Sequence, residues 1–532
     1  MPDKVDVLIV GAGASGAAVA WSLAETRMRI VCLEQGDWVK PTDYPSNGRD
    51  WEARFFSDFA TSPNRRARPS DYPINDDNSP IKVVNFNGVG GSTVLYTAHF
   101  PRLLPSDFKV RTLDGIADDW PIDYATLEPF WAENDRMTGV SGLAGDPAYP
   151  PKSPPMPPLP LGKTGARFGR AMNQLGWHWW PSDAAIATVD YEGRARCINL
   201  GHCTPGCAQG AKASADITYW PLALRGGVEL RTNCRVREIT LDDRGMAGGV
   251  IYFDADGREV FQSAEIVILA CNGVGTPRLM LNSVSGKFPN GIANSSDLVG
   301  RNLMFHPYCY VYGYVDEPLD GNRGPPLCLW SHEFYETDPS RDFVRGYMLQ
   351  FVRGTGAIME AITSNAHGRL PWGEAHHEVY RRLLHRRLGL SAACEDLPEA
   401  HNRVTLDAEL KDAHGIPAPK IDYALGDNTR RMMTHGIARA KQVLAAAGAS
   451  NIAVEAPIIN GGWHLLGTAR MGTDPARSVV NAWGRCHDVR NMFIVDGSIW
   501  VTAGGVNPTS TIQALALYIA DQIKRRLADL FD

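Results

Sequence analysis

Three groups of residues in this chain combine types and spacing that could carry chemistry. The first is Gly11-x-Gly13-x-x-Gly16 with Glu34 beyond it. Glycines at those offsets permit a tight turn, a close approach of backbone to pyrophosphate, and close packing of a helix on a strand; the acid accepts hydrogen bonds from ribose hydroxyls. An acid there disfavours a 2′-phosphate, hence NADP, but does not separate FAD from NAD. The second group is His464, in the glycine-bracketed segment GGWHLLGTARMG, with Asn507 directly before Pro508 and Thr509. An imidazole with an ordinary pKa near ~6.5 can move a proton at neutral pH. The same ring between Trp463 and Leu465 also suits a satisfied core residue. The Asn507 amide can hold a substrate oxygen or simply cap a helix. The third is Cys197-x5-Cys203-x3-Cys207, where three thiolates could bind a small iron–sulfur cluster or remain a loop of reduced or disulfide-paired thiols.

Such residues need elements to position them. Residues 5–10 (VDVLIV) are a short, β-branched apolar run closed by Gly11 and read as a buried parallel strand. Residues 14–26 read as a helix and 29–34 (RIVCLE) as the next strand. This βαβ unit opens a doubly wound sheet, and its helix start offers free N–H groups to phosphates. Residues 228–240, 247–253 and 265–271 read as further strands, 428–447 as a helix, and 492–496 as a last strand ending at Asp496. A long helix is expected over 509–528, with Pro508 at its start, where the missing N–H is harmless. Its positive end suits an anionic group, such as the N1–C2 carbonyl region of a reduced flavin. Residues 375–389 (AHHEVYRRLLHRRLG) read as a basic amphipathic helix with a solvated face. Residues 45–80 read as a long excursion over the surface or a ligand, and the proline-rich 148–161 as a connector.

Bulk composition narrows the classes. A chain of 532 residues exceeds one hydrophobic core, so two or more core units are expected. The net charge of -6 leaves no basic footprint for nucleic acid or for an anionic membrane. No apolar run approaches the ~20 residues of a membrane span, so no direct membrane insertion is expected. The chain runs from Met1 straight into a strand-like segment with no leader pattern, which points to a cytoplasmic protein. Ten cysteines, scattered apart from the one cluster, are expected to be reduced.

Read together, the motifs resemble the glucose–methanol–choline (GMC) flavoprotein oxidoreductases along nearly the whole chain. The segments that carry the resemblance are VDVLIVGAGASGAAVA (5–20), FNGVGGSTVLY (86–96), AKAS (211–214), NCRVREI (233–239), LACNGVGTPRLMLNS (269–283), VGRNLMFHP (299–307), NRVTLD (402–407) and the C-terminal pieces above. The subgroup of gluconate 2-dehydrogenase, fructose dehydrogenase and bacterial FAD glucose dehydrogenase large subunits is the nearest in pattern. The resemblance implies an α/β fold: an FAD-binding, Rossmann-like doubly wound domain (1–45, 80–130, 195–305, 455–532) interleaved with an α+β substrate domain on an antiparallel sheet (46–79, 131–194, 306–454). It implies FAD held by Gly11, Gly13, Ala14, Ser15, Gly16 and Glu34, by Gly90, Gly91, Ser92 and Thr93, by Val236 at the adenine with Gly273 nearby, by Asp496 at the ribityl or pyrophosphate, and by Pro508 and Thr509.

His464 aligns with the family's catalytic histidine and Asn507 with its partner, while His306 is read as structural. Family members that attach FAD covalently do so through a histidine where this chain has Leu95 and Tyr96, with His99 a turn further on; the FAD here is therefore expected to be noncovalent. The subgroup carries a [3Fe-4S] cluster on cysteines spaced like Cys197, Cys203 and Cys207. Relatives without a cluster keep cysteines there too, and Leu200 stands in place of one of theirs, so FAD alone is expected, with the cluster as the other reading. The expected reaction is oxidation of a CH–OH group of a sugar, glycoside or polyol, with O2 or a quinone or cytochrome as electron acceptor. An aryl-alcohol oxidase using O2 and a flavin-dependent lyase are the alternatives.

Overall fold

The computed structural model describes residues 4–319, 321 and 324–527; the tips of the expected flavin-binding segments, residues 1–3 and 528–532, lie outside them. The run VDVLIV forms the strand Val5–Val10, with every residue but Asp6 buried. It pairs in parallel with Ile30–Leu33 on one side and with Glu259–Leu269 on the other. Glu229–Arg231 extends the sheet beyond the first neighbour and Met492–Ile494 beyond the second, both parallel. Chain order therefore reverses between Val5–Val10 and Glu259–Leu269. In a doubly wound sheet this switch point leaves a crevice at the carboxyl ends of the strands.

The expected single strand over 228–240 is two. Glu229–Arg231 belongs to the parallel sheet, and Arg235–Leu241 starts an antiparallel meander with Ala247–Phe253 and the first half of Glu259–Leu269. The break falls at Asn233, whose φ of 55° is a left-handed conformation that asparagine tolerates.

A second sheet has six antiparallel strands, in the order Ser450–Glu455, Tyr308–Tyr314, Arg387–Cys394, Tyr347–Val352, Leu327–Ser331 and Trp180–Pro181. Side chains alternate across a strand. Val311, Leu349, Phe351, Leu388 and Leu390 join one buried cluster, packed with the helices Gly162–Leu175 and Asp427–Ala446. Tyr308, Gln350 and Ser391 belong to the opposite face, which borders the cavity described below. The expected helix over 375–389 is corrected here: it covers only His376–Leu383, and Arg387–Cys394 is a fully buried central strand. Pairing with a strand on either side outweighs the helical periodicity of the basic stretch.

A third, small sheet joins the hairpin Arg403–Lys411 and Pro417–Asp422 to Asn75–Asn78, so the 45–80 excursion supplies a strand. The final helix spans Thr509–Arg525 and packs on Ala14–Leu23. Among the described residues no helix is long and apolar enough to cross a membrane.

Candidate active site

A cavity of about 460 Å³ lies at the switch point. Gly11, Gly13, Ala14 and Ser15 line it from the first βα turn, and Gly91, Ser92 and Thr93 from a facing turn. Glu34, Val236 and Asp496 contribute from strands or strand ends, and His464, Asn507, Pro508 and Thr509 from the C-terminal segments. The two glycine turns meet backbone to backbone: Gly91 has φ 54°, and a Cβ on it would lie 2.7 Å from the Gly13 Cα. Gly16 stands behind the lining, where a Cβ would fall 2.0 Å from the Gly11 carbonyl oxygen, so its hydrogen lets the helix sit on the turn. Gly90 packs against Asp216 and Gly273 against the Leu465 backbone; neither is part of the lining.

The two acids of the cleft are tied into the fold. Glu34 Oε2 accepts from the Ala12 N–H at 2.8 Å and Oε1 from the Gly36 N–H at 2.9 Å, so Glu34 braces the glycine turn it faces. Burial pushes its carboxyl upward in pKa, against the pull of those N–H donors. Asp496 accepts four hydrogen bonds: Oδ2 from the Asn272 N–H (3.0 Å) and Thr276 Oγ1 (2.6 Å), Oδ1 from the Ser498 N–H (2.9 Å) and Oγ (2.6 Å). It clamps the helix Asn272–Asn282 to the turn after the last parallel strand, which leaves it little capacity for the ribityl or pyrophosphate.

This donor set fits a flavin dinucleotide. The cradle is bare where Gly13 meets Gly91, and the helices Ala14–Leu23 and Thr509–Arg525 both begin at the cavity, where their first N–H groups lack intrahelical partners.

His464 and His306 settle each other's protons. His306 Nε2 lies 2.5 Å from the Gly504 carbonyl oxygen, which only accepts, so Nε2 carries the hydrogen. His306 is fully buried, and burial pulls its pKa down to about 4, so the ring is neutral and Nδ1 keeps its lone pair. His464 Nδ1, at 2.8 Å, then donates to that lone pair. Its own Nε2 is left as an unprotonated base on a half-buried ring that lines the cavity. Desolvation, with His306 and His99 nearby, holds the His464 pKa well below the usual histidine range.

Asn507 is oriented from two sides. Its Oδ1 accepts from Gln350 Nε2 at 2.6 Å and from His99 Nδ1 at 2.9 Å. Its Nδ2 is left for the cavity and for Tyr308, whose hydroxyl oxygen accepts from Asn507 Nδ2 and from Gln350 Nε2, each at 3.4 Å. The Tyr308 proton is thereby free to donate into the cavity it lines. Sequence reasoning missed Gln350 and Tyr308 and read His306 as structural. The available signal was a polar residue in an apolar run (YMLQFV, NLMFHP), which once buried must find a hydrogen-bond partner.

Of the three clustered cysteines Cys203 is buried, while Cys197 and Cys207 are half-buried on a partly exposed loop. Burial raises the Cys197 thiol and pushes Cys203 up to about 12. Lys212, in AKAS, donates to the carbonyls of Val94, Tyr96 and Cys203 at 2.8–3.0 Å and ties this loop to the turn after Gly91. Among the described residues no three His, Cys, Asp or Glu side chains are placed to hold a metal ion.

Two family models described as GMC oxidoreductase match residues 165–308 and 398–516, and a model for an NAD(P)-binding Rossmann-like domain matches 9–67. The chain is 40% identical over 541 residues to 2-methyl-1,2-propanediol dehydrogenase of Mycolicibacterium austroafricanum, covering 100% of this chain and 97% of that protein. It is 30% identical to the fructose dehydrogenase large subunit of Gluconobacter japonicus, over 98% of each. Among solved structures, pyridoxine 4-oxidase from Mesorbium loti shares the fold with a TM-score of 0.68 at 17% identity, over 98% of this chain and 99% of that one.

Proposed function

The chain belongs to the GMC oxidoreductase family, FAD-dependent enzymes acting on alcohol-, polyol- or sugar-type substrates, and from that premise we propose that it oxidises a carbinol with His464 as base and Asn507 as oxygen holder. FAD, when bound, supplies the two-electron acceptor, taking hydride at flavin N5. The observation that carries this reading is the chain Gly504–His306–His464, which leaves His464 Nε2 unprotonated on a ring that lines the cavity. That nitrogen accepts the hydroxyl proton of the substrate. Asn507 Nδ2 and the Tyr308 O–H donate to the same oxygen and stabilise it as it gains alkoxide character. Protonated His464 keeps its Nδ1–H on His306 throughout, so the base does not turn between steps.

The cofactor is held without a covalent bond. Leu95 and Tyr96 lie at the cavity wall; Leu95 has no nucleophilic atom, the Tyr96 hydroxyl donates to the Ala213 carbonyl, and His99 is engaged by Asn507.

The test is anaerobic mixing of the FAD-loaded enzyme with alcohols while the oxidised flavin band is followed. Bleaching is expected, and His464→Ala should slow it by about 100- to 10,000-fold with flavin content unchanged. An FAD-loaded enzyme that no alcohol bleaches, or a His464→Ala variant that bleaches at the normal rate, overturns the proposal.

A further inference from the structure

The pocket holds more acceptors than one hydroxyl can satisfy. A carbinol has one O–H proton, and in the reading above His464 Nε2 takes it. Gln350 spends its Nε2 on Asn507 and Tyr308, which leaves Oε1, an acceptor only, with no protein partner among the described residues. Ser391 Oγ likewise makes no hydrogen bond to a described residue. Both side chains line the cavity and both residues are more than nine-tenths buried, at 4% and 7% exposure. Gln350 and Ser391 are directly paired on adjacent antiparallel strands and so share a face, with Cβ atoms about 5 Å apart.

We propose that Gln350 Oε1, accepting, and the Ser391 hydroxyl, donating, form a subsite for a second substrate hydroxyl, and that the substrate is a 1,2-diol rather than a mono-alcohol. The inference rests on the catalytic reading of His464 and Asn507. The Gln350 and Asn507 amides lie side by side, joined at 2.6 Å. Asn507 Nδ2 is the donor at one end and Gln350 Oε1 the acceptor at the other. Neighbouring oxygens on adjacent carbons complement that arrangement: one accepts while the other donates. Leu327, Val352, Ile458 and Trp463 add apolar surface to the same cavity. A mono-alcohol would bury Gln350 Oε1 without a partner, and sites built to hydrogen-bond a hydroxyl reject analogues that lack it.

Two comparisons test this on the holoenzyme. The first is kcat/KM for 1,2-propanediol against 1-propanol. A preference of about tenfold to a hundredfold for the diol is expected, the range for leaving one buried acceptor unpaired, and Ser391→Ala should shrink that ratio by about tenfold. The second is binding without turnover. Pinacol and tert-butanol carry no carbinol hydrogen, so neither can be oxidised; pinacol should perturb the oxidised flavin spectrum at a concentration about tenfold lower. Equal kcat/KM for diol and mono-alcohol, a ratio that survives Ser391→Ala, or equal binding of the two tertiary alcohols overturns the subsite and leaves the oxidation standing. If neither alcohol bleaches the flavin, the proposed oxidation falls, and the tertiary alcohols still decide the subsite.

Discussion

In the proposed mechanism His306 takes the place beside His464 that a carboxylate takes in a hydrolase triad, but as a neutral acceptor. A carboxylate partner would raise the pKa of the base; a neutral imidazole fixes the tautomer without adding charge. Two outcomes follow at this scale. His306→Leu removes the acceptor for His464 Nδ1–H and should slow anaerobic flavin reduction by about 100-fold. His306→Asn places an amide oxygen near the lost lone pair and should restore most of the rate; equal loss in both variants would mean that His306 only fills space. The second outcome concerns pH. His464 is a base whose pKa lies below the ordinary ~6.5, so it stays unprotonated at neutral pH, and activity is lost only as pH falls through the depressed value. The kcat/KM profile should therefore be level from pH 8 down past 6.5, and an acid limb centred at 7 or above would refute the assignment.

At the scale of elements, the cofactor cleft depends on two turns pressed together. Gly91→Ala forces a side chain into a left-handed φ, at roughly 1–2 kcal/mol, and drives its Cβ to 2.7 Å from the Gly13 Cα. The turns must separate, and the flavin cradle widens with them. After dialysis to free FAD well below Kd, the variant should carry less than about a tenth of the normal FAD per chain if the lost affinity exceeds 1.4 kcal/mol, read from flavin absorbance against protein. Full flavin content would show that the contact between the turns is dispensable. The hairpin Arg403–Lys411 and Pro417–Asp422 is a second clamp: Asp412 in its turn pairs with Arg235 of the meander and with Arg278 of the helix Asn272–Asn282, and both arginines line the cavity.

For the molecule as a whole, the cavity is where distant parts of the chain converge. Its wall draws on Gly11 near the start, Gln350 in the antiparallel sheet and Asn507 near the end. A ligand filling it joins the parallel sheet to the antiparallel one and stabilises the fold by mass action, by about 4 kcal/mol at a thousandfold excess over Kd. FAD should leave in the supernatant on acid precipitation without proteolysis. The protein stripped of it should melt several degrees lower and recover on adding FAD back. Flavin that stays with the precipitate would mean a covalent bond.

The sequence alone determined the parts whose logic is local. A β-branched run closed by Gly11, glycines at fixed offsets, a proline before a helix and a histidine among glycines are short-range signals, because backbone conformation depends on neighbours a few residues away. From them, with the family resemblance, came the Rossmann-like fold, FAD, and the candidates His464 and Asn507. The tertiary structure decided the hydrogen-bond partners. His306 reaches His464 across 158 residues, Gln350 reaches Asn507 across 157, and His99 reaches it across 408. The helical pattern over 375–389 failed for the same reason: residues from Arg387 onward answer to strands at Tyr308–Tyr314 and Tyr347–Val352. A buried polar group must find a partner wherever the chain brings one, and which residue that is depends on sheet register and strand order, which local spacing does not encode.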